Sequence, residues 1–309
     1  MTQFKRPKRN IDGVLLLDKP HGLSSNTALQ RARWLFQAAK AGHTGTLDPM
    51  ATGLLPLCLG EATKFSQYLL NADKTYVAEI KFGAATTTGD AEGEVISHCP
   101  VVFDQDRLQA VLQQFVGEIW QTPPMYSALK HEGKALYEYA RAGEEIERKR
   151  RQIRIYALEL LEWNQPDVAL VQVRCSKGTY VRTLAEDIAQ ALGSCAHLIG
   201  LRRTAIGDFR VEDAVTLETL EQLDLAQRDA LLAEADRLVY DRPAVQLDGD
   251  SAFYLQRGQA VWVPQLQAAG ILRLYGPGHV FLGVGELDDQ GRVQPRRLIV
   301  PPVGQPAGN

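Results

Sequence analysis

The stretch from Gly42 to Lys64, GHTGTLDPMATGLLPLCLGEATK, constrains the fold most strongly because it joins an irregular loop to an apolar segment. Glycine permits backbone geometries that other residues avoid, and proline fixes φ and removes a donor. The apolar run from Leu54 to Leu59 predicts a buried strand that anchors the loop to a core. The loop itself offers few reactive side chains, namely His43, Thr44, Thr46 and Asp48.

Asp48 has two interpretations on this evidence. Asp-Pro is ordinary turn chemistry, so Asp48 and Pro49 are consistent with a structural turn. The alternative is a nucleophile or an acid–base group that is held on a rigid loop. The loop alone does not decide between them, so the rest of the chain has to.

Length and hydropathy favour a globular chain of about two domains, since single cores rarely exceed roughly 250–300 residues and this chain has 309. No run of about 18 apolar residues occurs, which predicts no transmembrane helix. The basic N-terminus leads into a short strand-like run rather than a signal-peptide core, so we expect a cytoplasmic protein. The cysteines are widely spaced without a CxxC pair, which predicts free buried thiols and no zinc site: Cys58, Cys99, Cys175 and Cys195.

The net charge of −3 conceals a segregated pattern. Basic residues crowd into 1–40 and 148–154, whereas acidic residues concentrate in 212–250. Such segregation permits a basic face on an acidic protein and hence contact with nucleic acid, although a solvated surface explains each run equally well.

Hydrophobic periodicity predicts an α+β fold whose sheet is mixed and largely antiparallel, because most strands are joined by hairpins and interrupted by helices. Residues 1–10 read as disordered, and 216–236 as short acidic helices. The predicted strands are 13–17, 54–59, 74–82, 94–97, 153–163, 168–175 and 196–204. The predicted helices run from Ser24 or Ser25 to about Ala39, over 61–70, from Asp104 to a stop at Gly117, and from a Thr179 cap through Leu192.

Two composition changes divide the chain. Residues 124–152 mix tyrosines with lysines and arginines and show little alternation, which indicates an insertion outside the core that is suited to touching a partner. Beyond a polar junction at 241–250, short strands split by Gly and Pro predict a small β-barrel-like domain. We therefore expect a catalytic domain over 1–248 and a second domain over 249–309. No phosphate loop, dinucleotide fingerprint or metal-ligand cluster is present, so we expect no cofactor and no metal.

Several long motifs, in order, resemble the bacterial TruB-type tRNA pseudouridine synthases over nearly the full length. They are LLLDKPHGLSS (15–25), GHTGTLDPMATGLLPLCLGEATKF (42–65), KTYVAEIKFG (74–83), TPPMYSALKHEGKALYEYAR (122–141), CSKGTYVRTLAEDI (175–188) and LRRT (201–204). The resemblance implies a pseudouridine-synthase catalytic domain, an RNA-gripping insertion at 124–152 and a C-terminal RNA-binding PUA-like barrel. It also implies isomerisation of uridine 55 in the T-loop of tRNA without a cofactor, by a monomer that is not membrane-bound.

The resemblance further assigns roles to single residues. Asp48 matches the catalytic aspartate, Tyr76 the tyrosine that stacks on the target base, and Arg182 the arginine that pairs with the aspartate. Substrate-binding roles fall to six more residues: His43, Tyr180, Leu201, Lys19, Lys64 and Lys130. Asp208 and Ala205 depart from the family pattern, which concerns a local RNA contact and not the chemistry.

Three questions stay open at the level of sequence. The carboxylate either adds to the base ring or captures the sugar carbon, and Tyr76 acts either as a base or only as a stacking face. An RNA-binding or tRNA-folding protein with dispensable catalysis is a second hypothesis, compatible with the first. A carboxylate-dependent nucleoside hydrolase is a third.

Overall fold

The computed structural model describes residues 8–164, 166–264, 266 and 270–300. Within these residues, the strands are β1 Gly13–Lys19, β2 Ala41–His43, β3 Thr52–Leu59, β4 Lys74–Phe82, β5 Ala84–Thr86, β6 Val95–His98, β7 Gly117–Gln121, β8 Lys130–His131, β9 Lys134–Ala135, β10 Arg151–Asn164, β11 Val168–Cys175, β12 Ala196–Ile206, β13 Phe209–Arg210, β14 Val215–Thr216, β15 Ala244–Gln246, β16 Val261–Trp262, β17 Ile271–Gly276, β18 Val280–Leu287 and β19 Arg292–Leu298. The α-helices are α1 Ser25–Leu35, α2 Ser66–Leu70, α3 Gln105–Gln114, α4 Leu136–Arg141, α5 Val181–Ala191, α6 Leu217–Gln222, α7 Leu225–Asp229 and α8 Gly249–Gln256. Short 3₁₀ helices occupy Gly60–Phe65, Val211–Asp213, Ala235–Val239 and Pro277–His279.

A ten-stranded sheet forms the larger part of the molecule, in the order β14-β1-β3-β12-β4-β11-β10-β7, with β2 beside β3 and β13 beside β12. Only the β1–β14 and β12–β3 pairs are parallel among these described strands. The predicted mixed, largely antiparallel α+β fold is therefore confirmed. A second sheet of five strands, in the order β15-β17-β18-β19-β16, contains the C-terminal strands.

Two hydrophobic clusters lie against the ten-stranded sheet. One packs α3 and α5 on β4, β10 and β11, around Ile80 and Val171; the other packs α1 and α6 on β1 and β3, around Leu15 and Leu57. Tyr76 on β4 and Leu201 on β12 pack against both clusters. These two side chains therefore mark a seam where the two halves of the core meet.

Local signals explain where most elements begin. Ser24 caps α1 by accepting from the Thr27 N–H, and Asp104 caps α3 by accepting from the Arg107 N–H. The alternation in β4 buries Ala78, Ile80 and Phe82 on one face, as predicted.

Several boundaries differ from the sequence-based prediction. Helix α1 ends at Leu35, not near Ala39. The junction at 241–250 is not a plain linker, since it contributes β15 to the C-terminal sheet and the start of α8, a helix that strand periodicity did not reveal. Residues 1–7 lie outside the described part of the chain, but Arg9 is ordered, with its N–H donating to Gln37 and its guanidinium paired with Asp229.

The expectation of four free thiols is wrong for two cysteines, since Cys99 and Cys195 form a disulfide. Gly83 lies between them in space: its N–H donates to the Cys195 carbonyl, and its carbonyl accepts from the Cys99 N–H. Their spacing of 96 residues hid this proximity. Cys58 and Cys175 are free, and burial raises their pKa values to about 12 and about 11.

A polar clasp, formed by Glu61, Lys64, Leu298 and Val300, joins the C-terminal sheet to the part of the molecule that contains the ten-stranded sheet. The Glu61 carboxylate accepts from the Val300 N–H and from the Lys64 ammonium, and Lys64 also donates to the Leu298 carbonyl at 2.8 Å. Apolar contacts continue the interface, because Val284 and Phe281 pack with Phe65. None of the described helices is long and apolar enough to span a membrane.

Gly53 makes the closest backbone approach at the seam, where β3 lies parallel to β12 and Gly53 faces Arg203. Its φ is +98°, and an added Cβ would lie 2.8 Å from the Arg203 nitrogen and closer still to its carbonyl oxygen. Gly117 also has a positive φ, +113°, but nothing lies within 4 Å of its added Cβ. An alanine at Gly117 would therefore introduce backbone strain alone, whereas an alanine at Gly53 would add steric overlap to that strain.

We predict that Gly53→Ala lowers the free energy of unfolding by about 3 kcal/mol or more, since a positive φ costs about 1–3 kcal/mol and overpacking adds about as much. Gly117→Ala should cost only the smaller backbone contribution, about 1 kcal/mol. Urea unfolding of both variants measures the difference. Equal losses would show that β12 yields to the added methyl group.

Candidate active site

Asp48 lies on the loop between β2 and β3, and neighbouring contacts hold this loop still. Ser25 Oγ accepts from the Leu47 N–H at 2.7 Å and is 2.9 Å from the Leu47 carbonyl, while the Ala51 N–H closes a turn on the Asp48 carbonyl. Leu47 and Met50 are buried on either side, whereas 38% of the Asp48 side chain is exposed. The loop therefore presents one accessible carboxylate from a fixed backbone.

Lys19 supports this loop from below. Its ammonium donates to the carbonyls of Pro20, Leu23 and Pro49 at 2.8, 2.7 and 3.3 Å, and its side chain is fully buried. Burial lowers the pKa of Lys19 to about 8, and the charge of Asp48 opposes that shift. In this structure the buried Lys19 ammonium holds the loop through three carbonyls, and its assignment as a substrate-binding residue stays a prediction.

Arg182 is the cation of the site. One terminal nitrogen lies 2.9 Å from Asp48 Oδ2 and donates to the Tyr126 carbonyl at 2.7 Å; the other donates to the Thr88 carbonyl at 2.7 Å. The Nε lies 3.7 Å from Asp90 Oδ2. Arg182 is 5% exposed, so a buried guanidinium pairs with a carboxylate that solvent can reach.

Asp90 is a site residue that the sequence did not single out. It is 3% exposed, and its Oδ1 accepts from the Thr88 hydroxyl at 2.6 Å and from the Glu92 N–H at 3.1 Å. Its other oxygen faces Arg182, so the Thr-rich loop after β5 supplies a second counter-charge. In the sequence, Asp90 is one of three acidic residues in a loop of threonines and glycines, beside Glu92 and Glu94, so nothing distinguished it.

A second buried arginine, Arg203, lies opposite Tyr76 on the neighbouring strand. The sequence did not single it out, although it belongs to the LRRT motif. It is 1% exposed and donates to the carbonyls of Leu54 and Gly45 at 2.8 and 3.2 Å. Burial raises the pKa of Tyr76, and hydrogen bonding and charge from Arg203 oppose the rise. The Tyr76 phenol is therefore neutral at neutral pH.

His43 lies at the end of β2, and its Nδ1 is buried without a hydrogen-bond partner among the described residues. Burial lowers the pKa of His43, and the charge of Arg203 lowers it further. The imidazole is thus neutral at neutral pH.

Tyr180 begins α5, and its ring lies 4.9 Å from the Arg151 guanidinium carbon. Thr179 is not the cap that the sequence predicts, since its hydroxyl donates to the Ser176 carbonyl and Tyr180 stands at the N-cap without a side-chain bond. Leu201 is half-buried at the seam beside Tyr76. The structure therefore brings Asp48 into contact with Arg182 and places Tyr76 and Leu201 together at the seam, where the charge of Asp48 acts on the Tyr76 phenol.

Two lysines lie elsewhere. Lys64 belongs to the clasp on β19, where its ammonium donates hydrogen bonds to the Glu61 carboxylate and to the Leu298 carbonyl. Lys130 is exposed on the β8–β9 hairpin of the insertion. Among the described residues, no group of three His, Cys, Asp or Glu side chains is arranged to hold a metal.

Family models cover most of the chain. The model of the TruB family pseudouridylate synthase N-terminal domain matches residues 33–181. Two C-terminal models follow: the tRNA pseudouridylate synthase B C-terminal domain at 182–241, and pseudouridine synthase II TruB, C-terminal, at 243–299.

Whole proteins match as well. Two relatives named tRNA pseudouridine synthase B are 58% identical over 297 residues in Methylobacillus flagellatus (96% of this chain, 98% of the relative) and 52% identical over 303 residues in Pseudomonas aeruginosa (97% and 99%). A solved structure described as a Cbf5-Nop10-Gar1 complex has a TM-score of 0.72 at 26% identity, covering 94% of this chain and 85% of its own. These matches confirm the resemblance that the motifs indicated and the fold it implies.

The shifted pKa of His43 predicts a pH dependence of stability. Because its folded-state pKa lies below the ordinary 6.5, the unfolded chain takes up a proton first as the pH falls. The contribution of neutral His43 is therefore complete above the ordinary pKa and is lost as the pH falls through the folded-state pKa, by at most about 1.4 kcal/mol per pH unit.

Urea unfolding of the wild type and His43→Gln between roughly pH 7 and pH 5 measures this loss, since glutamine removes the titrating group. The wild type should lose stability with acidification more steeply than the variant. Parallel curves would show that His43 titrates alike in both states.

Proposed function

The chain belongs to the TruB family of pseudouridylate synthases, and we propose that it converts uridine 55 in the T arm of tRNA to pseudouridine with Asp48 as the nucleophile. The ion pair between exposed Asp48 and buried Arg182, 2.9 Å apart, is the observation that supports this proposal most directly. The reaction breaks an N-glycosidic bond, turns the uracil and closes a carbon–carbon bond to the same sugar. It is an isomerisation, so it requires neither an oxidant nor a second substrate.

The ion pair with Arg182 places Asp48 for a role as nucleophile. The Arg182 guanidinium lies 2.9 Å from Asp48 Oδ2 and fixes the position of the carboxylate, and Arg182 is too deeply buried to compete for the substrate's phosphates. The accessible part of Asp48 can add covalently either to the base or to the sugar carbon. Both routes use the same carboxylate.

Tyr76 supports the rotation of the detached base. A flat aromatic face permits uracil to turn in its own plane, whereas several directional hydrogen bonds would resist turning. The raised pKa of Tyr76 keeps its phenol protonated, which favours the stacking role over the role of a base. His43 and Tyr180 are proposed to line the same space, with Leu201 as an apolar wall.

The insertion at 124–152 provides a surface for the T arm. Tyr137 is 38% exposed with Arg141 5.4 Å from its ring centre, and Lys134 lies 4.3 Å from the ring centre of Tyr139. Extruding a base costs a few kcal/mol, and stacking on aromatic side chains returns about 1–3 kcal/mol per base. Exposed Lys130 adds a phosphate contact, and the PUA-like domain over 249–309 is proposed as a further RNA contact of a cytoplasmic monomer.

Asp48→Asn should abolish pseudouridine formation in a T-arm RNA while leaving RNA affinity within about threefold, because the amide keeps the shape and loses the nucleophile. Asp229→Asn is the control, since Asp229 also forms an aspartate–arginine pair, with Arg9, but lies at the end of α7 and outside the proposed site. Pseudouridine mapping and filter binding give the two readouts.

Wild-type pseudouridine formation by well-folded Asp48→Asn would sink the proposal. Release of free uracil by the wild type would indicate a hydrolase instead. Restored tRNA folding by the inactive variant would add an RNA-folding role that does not need catalysis.

Asp90→Asn should lower the single-turnover rate by about tenfold to a hundredfold, since small misplacements of a catalytic group have effects of this size. The amide keeps the acceptor for Thr88 and Glu92 but removes the second counter-charge of Arg182. RNA affinity should stay near the wild-type value. A wild-type rate would show that the guanidinium keeps its position without the charge of Asp90.

A further inference from the structure

Gln121, the last residue of β7, pairs with the backbone of Tyr180 across 59 positions of sequence. Its Oε1 accepts from the Tyr180 N–H at 2.8 Å, and its Nε2 donates to the Tyr180 carbonyl at 3.0 Å. The side chain is 1% exposed. An amide that bonds both backbone groups of one residue fixes direction as well as distance, much as a neighbouring strand would.

Helix α5 depends on this pairing because it begins without a side-chain cap. Tyr180 occupies the N-cap, and its carbonyl already accepts the first helical bond from the Leu184 N–H at 3.0 Å. The first turn of a helix has N–H groups without intrahelical partners, so its direction is set by contacts from outside. That turn bears both Tyr180 and Arg182.

Gln121 also lies at the root of the insertion. Its cross-strand partner is Arg151, the first residue of β10, and the insertion leaves the sheet between these two residues. Arg151 covers the Tyr180 ring and donates to the Gly178 carbonyl. The residues at the two ends of the insertion, Gln121 and Arg151, therefore both contact the turn that starts α5.

We propose that Gln121 is a positioning residue for the isomerisation, which rests on the function proposed above for Asp48, Tyr180 and Arg182. Its amide holds the backbone from which Arg182 reaches Asp48. Because Gln121 ends the strand that feeds the insertion, it links the placement of the insertion on RNA to the placement of the arginine. The Tyr126 carbonyl, which accepts from Arg182 at 2.7 Å, is a second link between the same segments.

The first test is Gln121→Met, which preserves length and burial but removes both hydrogen bonds. We expect kcat to fall by about tenfold or more, because a small shift of Arg182 relative to Asp48 is enough for such an effect. KM and the dissociation constant for T-arm RNA should stay within about threefold of wild type, since a positioning role acts on the chemical step.

Gln227→Ala is the matched control. The Gln227 amide also bonds the backbone, since its Oε1 accepts from the Asp224 N–H at 2.9 Å, but Gln227 is exposed on α7, outside the insertion and the proposed site. This variant should retain the wild-type kcat.

The second test, Gln121→Glu, does not depend on comparing folds, since one protein is assayed at several pH values. A carboxylate still accepts from the Tyr180 N–H but repels the Tyr180 carbonyl, whereas the protonated acid restores a donor. Burial raises the pKa of a carboxyl group, so kcat relative to wild type should fall as the pH rises from roughly 5.5 to 8. This pH profile of kcat tests the positioning role even if Gln121→Met is too unstable to assay.

Three results would overturn the proposal: kcat of folded Gln121→Met within about twofold of wild type, a loss confined to KM, or a pH-independent Gln121→Glu ratio. Wild-type kcat in Gln121→Met with an inactive Asp48→Asn would reject the positioning role and leave the proposed function intact. Activity in Asp48→Asn would reject the function itself, whatever Gln121 does.

Discussion

The buried charge of Arg182 is the constraint on which the site depends. A guanidinium that is almost shielded from water is costly unless its donors are satisfied, so each segment that supplies an acceptor is held in place by it. Asp48 belongs to the loop after β2, Asp90 and the Thr88 carbonyl to the Thr-rich loop, and the Tyr126 carbonyl to the insertion. Three segments with little regular structure of their own thus acquire fixed positions from one cation.

Arg203 is likewise buried and fixes backbone segments through hydrogen bonds, but its acceptors are uncharged carbonyls. It binds the Leu54 and Gly45 carbonyls, and its charge adds to the effect of burial, which lowers the pKa of His43. The site therefore combines the ion pair of Asp48 and Arg182 with rings at Tyr76 and His43 that are neutral near neutral pH. In the reaction proposed above, the detached uracil meets the Asp48 carboxylate beside these neutral rings, which do not hold it in one orientation.

Local pattern in the sequence was sufficient for the long strands and for the starts of α1 and α3, because alternation and caps are set by neighbours in the chain, but it failed for the cap of α5 and for helix α8. The burial of Ala78, Ile80 and Phe82 and the cap at Ser24 follow from such signals. Asp90, Arg203 and Gln121 escaped because they act on backbone groups or charges that only the tertiary fold brings near. The burial of Lys19 escaped for the same reason, since a motif match does not reveal that a side chain is buried. The pairing of Asp48 with Arg182 required the family resemblance.

The seam between the two hydrophobic clusters limits which substitutions the proposed base-binding residues can accept. Tyr76 and Leu201 contact both clusters, and the same two side chains are proposed to touch the uracil. A substitution that reshapes the base pocket at either position also alters the packing that joins both halves of the sheet. Adaptation to another RNA is therefore more readily accommodated in the insertion, where a side chain can change without weakening the core.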